Sequence, residues 1–300
     1  METAHLFPAF VPEYLGIETD LIGQHILHHK LEKASAFLGC DLTGFDIVNH
    51  NYLDDPLKSQ YITYVMSCCV SDILHNRHKT PSYVASFSMG IYAALYHCKA
   101  ISFETGLQMI RTAYDCIEKT LPEIPMGMCV IGGLSLEDIN LLINPNANEV
   151  GIINQNSEFS FILSGHREAL LKITEQAKTE GAMQARLLPV VHPYHSSMLK
   201  KASENFNLKL ETMTINDSVY PLVSAINQNI IYKKKDIISE LASNLSQPFH
   251  WWTTFKFLLS KNVNLFIECG AGESLYKVGK FIEGDFSVIN LKKIGKFINE

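Results

Sequence analysis

Ser88 lies in the run Ser-Tyr-Val-Ala-Ser-Phe-Ser-Met-Gly-Ile-Tyr-Ala-Ala-Leu, residues 82–95. The run reads as a short apolar strand, a very tight turn with Ser88 at its tip, and an amphipathic helix starting beside that serine. A serine so placed projects its oxygen beyond the sheet edge. The first N–H groups of the helix, which have no partner within the helix, face any negative charge that develops there. This is the geometry of a nucleophile elbow, and its chemistry would be attack on an activated acyl group. The usual spacing is G-x-S-x-G, because the positions flanking the serine at two residues' distance lie too close together for large side chains. Here the pattern is Ser86-x-Ser88-x-Gly90, with serine in place of the first glycine. An ordinary strand-to-helix turn would use the same residue types, so this stretch alone leaves both readings open.

A serine hydroxyl is a poor nucleophile near neutral pH and needs a base within hydrogen-bond reach, a task suited to histidine. The segment Val191-His192-Pro193-Tyr194-His195-Ser196-Ser197-Met198 offers two. His195 stands just before a predicted helix and His192 ends a predicted strand; a histidine merely packed at that junction is the competing reading. A second histidine group, His25, His28 and His29 with Glu32, follows helical spacing. Four neighbours on one helix rarely close a metal site without a ligand from elsewhere, so a polar helical surface is expected there.

The elements that must position these residues follow from composition and pattern. The chain has 300 residues, 47% of them hydrophobic and 19% charged, which allows a sizeable core and about two domains. A formal charge of −6 argues against a nucleic-acid or anionic-membrane surface. The N-terminus lacks the basic-then-apolar pattern of a secretory signal, and the uncharged run from Thr80 to Cys98 is broken by proline, glycine and histidine. Seven scattered cysteines without a C-x-x-C pair suggest reduced thiols in a cytoplasmic protein.

Strands are expected at 4–7 and just before Ser88, with helices over 18–38, 56–75 and 103–118. The apolar strand before Ser88 suits a parallel sheet covered on both faces. Beyond Pro125 the pattern becomes β-α-β-β-α-β: strands at 126–132, 150–154, 159–163 and 185–191, helices at 135–142 and 168–180. That succession signifies a ferredoxin-like unit. A helix at 196–210, a strand at 220–225, helices at 234–245 and 251–261, a strand at 263–267 and a last helix follow. The expected fold is α/β: a large hydrolase-like domain with a parallel sheet, residues 1–124 and 196–300, and an inserted ferredoxin-like small domain, residues 125–195.

Ser88 in its elbow, the insertion, His195 in Pro-Tyr-His-Ser, Gln247-Pro248-Phe249-His250-Trp251 and Glu268-Cys269-Gly270-Ala271-Gly272 occur in the order and approximate spacing of one group. The sequence resembles the malonyl-CoA:acyl carrier protein transacylase family, including the acyltransferase domains of fatty acid and polyketide synthesis, from about Leu6 to Phe281. The resemblance implies a ping-pong reaction in which Ser88 attacks an acyl thioester with His195 as base, and a second acceptor clears the acyl-serine. It further implies that the backbone carbonyl of His250 orients the histidine, and that the N–H groups of Met89 and Phe10 hold the oxyanion. The partner would be acyl carrier protein bearing a phosphopantetheine-linked acyl group, or acyl-CoA. Lys200, Lys201, Lys277 and Lys280 would be docking candidates. No cofactor, metal, nucleic acid or membrane is implied, and a monomer is expected.

The departures from the family concern specificity. Its F-P-G-Q-G-S-Q segment is Phe7-Pro8-Ala9-Phe10-Val11-Pro12-Glu13 here, and the polar histidine before the nucleophile is Phe87. The arginine that grips the malonyl carboxylate falls at Ala113. Arg111 lies about 200° around that helix and is expected to face elsewhere. A pocket with Phe87 and Ala113 is therefore expected to prefer uncharged acyl groups, and Tyr194 resembles the family's residue for chains unbranched at the α-carbon. The loss resembles the acyl hydrolases of trans-acyltransferase polyketide systems, where water clears the acyl-serine from stalled carriers. The alternatives are a malonyl transacylase with altered carboxylate binding and a non-catalytic docking protein.

Overall fold

Ala4, Leu6 and Phe7 are fully buried and His5 nearly so, which leaves the first strand no solvent face. Such a strand belongs inside a parallel sheet, and the computed structural model, which describes residues 2–9, 24–44 and 55–294, places it there. Strand β1 (Glu2–Phe7) runs parallel to a neighbour on either side.

Helix α1 (Gln24–Leu38) buries Leu27, Leu31 and Ala34 on one stripe. Helix α2 (Pro56–Asn76) starts with proline in its first turn and with Asp55 accepting from the Lys58 N–H, then buries residues on every side. Strand β2 (Tyr83–Ser86), a 3-10 turn (Ser88–Gly90) and helix α3 (Ile91–His97) form the elbow. Helix α4 (Phe103–Glu118) is capped by Ser102, which accepts from the Thr105 N–H.

The β-α-β-β-α-β stretch comprises β3 (Met126–Gly132), α5 (Leu136–Ile143), β4 (Val150–Ser157), β5 (Ser160–His166), α6 (Arg167–Thr179) and β6 (Gln184–Leu187). Its strands form an antiparallel sheet in the order β4-β5-β3-β6. Phe161, Leu163, Ile131 and Ile139 centre its core. Strand β6 stops at Leu187 rather than reaching Val191, because Pro189 has no N–H to continue the ladder.

After a 3-10 turn at Ser197–Leu199, helix α7 (Lys200–Leu210) leads to β7 (Leu222–Val223) and β8 (Ile230–Ile231). The strand expected over 220–225 shrinks to two residues because Ser224 Oγ accepts from the Ile226 and Asn227 N–H groups and turns the chain. Then come α8 (Lys234–Ser246), α9 (Trp251–Ser260), β9 (Val263–Glu268), α10 (Ser274–Gly279) and β10 (Ser287–Ile289). The larger sheet has the order β10-β9-β1-β2-β7-β8, parallel except between β7 and β8. The short β8 and β10 were not expected from the sequence.

The two sheets meet through one apolar cluster in which Met128, Ile153 and Ile162 pack with Phe249, Trp251 and Phe255. Two main-chain donors fasten the joint: Phe249 N–H to the Ile153 carbonyl, and Trp251 N–H to Asn154 Oδ1. No described helix is long and apolar enough to cross a membrane. His28 faces Glu32 on the exposed side of α1, and among the described residues no group of three or more ligating side chains could hold a metal.

The larger sheet encloses an unusual polar array. His5 Nδ1 lies 2.9 Å from His97 Nε2, Ser71 Oγ lies 2.8 Å from His97 Nδ1, and His75 stacks on His97. Burial lowers the pKa of all three imidazoles, that of His5 to about 3. Below the unfolded value of about 6.5 the unfolded chain therefore binds more protons than the folded one, and stability falls with pH. The loss approaches about 1.4 kcal/mol per pH unit for each of the fully buried rings, His5 and His97, and is smaller for the half-buried His75. Urea-unfolding midpoints measured from pH 7.5 to 5 are expected to decline with a steep slope that His5→Leu makes shallower. A flat midpoint over that range would mean that the array is already protonated in the fold.

Candidate active site

Strand β2 ends one residue short of the nucleophile candidate, where the Phe87 N–H donates to the Phe7 carbonyl of β1. Ser88 then adopts φ 54°, the left-handed region that L-residues avoid, at a cost of about 1–3 kcal/mol. Gly90 follows because nothing larger fits: a Cβ there would stand 2.2 Å from the Phe7 carbonyl oxygen and 2.8 Å from that of Pro8. The Met89 N–H lies in the first turn after the serine, where no carbonyl of that turn can accept it.

Ser88 Oγ lies 2.6 Å from His195 Nε2 across 107 residues of sequence. His195 is also left-handed, at φ 62°, and its N–H donates to the Leu245 carbonyl at the end of α8. The imidazole is buried against Phe249, with ring centroids 4.6 Å apart. Burial lowers its pKa to about 3, so the ring is neutral at ordinary pH and free to accept a proton. For Ser88 to donate, the ring proton must sit on Nδ1. Nδ1 is buried and makes no well-formed hydrogen bond. The carbonyls of Asn244 and Gln247 favour the protonated ring.

The orienting carbonyl expected at His250 is engaged elsewhere. It accepts from the Thr254 N–H and Oγ1 as part of the first turn of α9. Phe10, the second expected oxyanion donor, lies outside the described residues.

His192, the other histidine of the segment, is turned away from Ser88. Its Nε2 is 2.5 Å from Glu118 Oε1 and its Nδ1 is 3.2 Å from the Tyr194 hydroxyl, which also accepts from Gln60 Nε2. Burial keeps the Tyr194 hydroxyl protonated by raising its pKa.

A cleft of about 150 Å³ opens beside Ser88 and His195, walled by Phe87, Met128, Ile162, Leu188, Val190 and Phe249. Phe87 is held edge-on to Phe249 and Trp251. Ala113 lines a separate recess of about 20 Å³ on the other side of Ser88, with Tyr92, Ile117 and Asn244. Among the described residues lining either space there is no lysine or arginine. Arg111 lies on the outer face of α4, where its Nε donates to both carboxylate oxygens of Asp115 at 2.9 and 3.0 Å.

Thus the fold gathers Ser88, Met89, His195, Phe87, Ala113 and Tyr194 at one point. It adds Gln60, Glu118 and Asn244, which sequence reasoning missed. Each lies on a helix, Glu118 at its last residue, and none belongs to a motif of its own, so only tertiary placement reveals it.

No family model matches the chain. It is 28% identical over 277 residues to the malonyl CoA-acyl carrier protein transacylase of Bacillus subtilis (strain 168), covering 91% of this chain and 87% of that one. It is 23% identical over 302 residues to the enzyme of that name from Staphylococcus aureus (strain COL), covering 98% and 96%. Among solved structures, the malonyl CoA-acyl carrier protein transacylase of Coxiella burnetii superposes with a TM-score of 0.90 at 23% identity, covering 100% of this chain and 97% of that one. A malonyl-transacylase solved with its type II PKS acyl-carrier protein gives 0.88 at 25% identity, covering 97% and 96%. With the elbow, the Ser-His contact and both sheets in place, the chain is similar to malonyl CoA-acyl carrier protein transacylases over nearly the whole of its length and shares their fold.

Proposed function

We propose that this acyltransferase moves uncharged acyl groups, rather than malonyl groups, from thioesters of acyl carrier protein or CoA, with Ser88 as nucleophile and His195 as general base. Ser88 Oγ attacks the thioester carbonyl carbon while its proton passes to His195 Nε2. The oxyanion is received by the Met89 N–H, the C–S bond breaks, and the departing sulfur takes the proton from His195. A second acceptor, a carrier thiol or water, then gives its proton to His195 and attacks the ester carbon. The serine C–O bond breaks and Oγ recovers the proton.

The observation that carries the substrate preference is the absence of any cation among the described residues around Ser88, together with the outward Arg111–Asp115 pair. A malonyl carboxylate taken out of water without a bidentate partner costs several kcal/mol. An alkyl chain instead gains about 0.8 kcal/mol per buried methylene against Phe87, Met128, Ile162 and Val190. Thiol transfer and hydrolysis share the first half-reaction and differ only in the acceptor.

Intact mass after brief exposure to acetyl, butyryl, hexanoyl and malonyl pantetheine thioesters tests this reading. The uncharged adducts are expected to form faster, and Ser88→Ala to form none; fastest loading by malonyl would refute the preference. Decay of the adduct in buffer alone identifies a hydrolase, and persistence until a carrier thiol is added identifies a transferase.

Ala113→Arg is expected to raise malonyl loading relative to butyryl by about tenfold or more, the scale of one charge-assisted pair. The pH profile offers a third check. Because burial lowers the His195 pKa to about 3, the base stays unprotonated as pH falls. Labelling by a neutral fluorophosphonate is therefore expected to change less than about twofold between pH 8 and 5.5, whereas a histidine at about 6.5 would lose about tenfold.

A further inference from the structure

Helix α8 touches the reacting pair at three points within two residues. Asn244 Nδ2 donates to the Ser88 carbonyl at 3.3 Å, the Asn244 carbonyl favours the protonated form of the His195 ring, and the Leu245 carbonyl accepts the His195 N–H. Asn244 is buried, 6% exposed, and its side chain lines the recess behind Ser88.

The Ser88 carbonyl and the Met89 N–H belong to one planar peptide unit, in which oxygen and hydrogen point in opposite directions. A donor that holds the oxygen therefore fixes where the N–H points. Ile91 N–H, from the same turn, also reaches the Ser88 carbonyl, but it travels with the turn and cannot anchor it. Asn244 is a donor from another element, and it acts on a residue whose left-handed φ needs outside support. A hydrogen bond to the carbonyl also polarises the peptide and makes its N–H a better donor.

We infer that Asn244 is a positioning residue: it sets the Ser88–Met89 peptide plane so that the Met89 N–H faces the developing oxyanion. This inference rests on the reading of Ser88 as nucleophile and extends it to a residue that touches no substrate. Because Asn244 acts on the oxyanion donor, its loss affects the transition state and leaves ground-state binding of the acyl chain alone.

The test compares wild type, Ser88→Ala and Asn244→Leu with butyryl pantetheine as substrate and the matching trifluoromethyl ketone, whose adduct with serine carries an oxyanion, as inhibitor. For Asn244→Leu, kcat and ketone affinity are expected to fall together by about tenfold, with KM within about twofold of wild type and the thermal midpoint little changed. Unchanged kcat in Asn244→Leu alongside an inactive Ser88→Ala overturns the role of Asn244 and leaves the nucleophile standing. Full activity in Ser88→Ala overturns both. If Asn244→Leu does not fold, Asn244→Asp, equal in size but unable to donate when ionised, is read in the same way: a fall in kcat and ketone affinity at constant KM supports the role, and wild-type values refute it.

Discussion

The close crossing of β1 and the elbow governs the rest of the site. The Phe7 carbonyl accepts the Phe87 N–H on one side and leaves no room for a side chain at position 90 on the other. Between these two contacts the chain turns through a left-handed residue, and that residue is Ser88. The hydroxyl is thereby raised from the end of a buried strand into the cleft, and the following N–H groups are left facing it. The parallel pairing of β1 with β2, from Ala4 against Tyr83 to Phe7 against Ser86, holds the crossing in register.

His195 completes the pair without a carboxylate hydrogen-bonded to its ring. The ring is buried and packed on Phe249, and the main-chain carbonyls of Asn244 and Gln247 favour its protonated form. Carbonyl dipoles stabilise an imidazolium less than a full charge would, so the ring stays neutral at rest and takes a proton only while Ser88 gives one up. A left-handed φ at both Ser88 and His195 means that each half of the pair is held in a conformation its own residue type disfavours. The surrounding packing supplies the difference.

Local patterns carried much of this. The buried strand before Ser88, the capped helix from Phe103 and the β-α-β-β-α-β succession are short-range signals, and the structure returns each within a few residues. The Ser88–His195 contact was legible only because two motifs, each ambiguous alone, resembled one family together. What escaped depends on distance. The His250 carbonyl accepts from Thr254 in the first turn of α9, whereas the carbonyls that favour a protonated His195 ring are those of Asn244 and Gln247. Likewise Ser224 cuts β7 short through its hydroxyl, a choice that a run of apolar residues conceals.

The cleft has walls of two origins. Met128, Ile162, Leu188 and Val190 come from the inserted ferredoxin-like stretch, whereas Ser88, Phe87 and Phe249 come from the segments before and after it. The nucleophile and much of the surface that would measure an acyl chain are therefore encoded in different stretches of the gene, with His195 at the boundary between them. Substitutions in the insertion can widen or narrow the range of chains admitted while leaving the elbow and its histidine as they are.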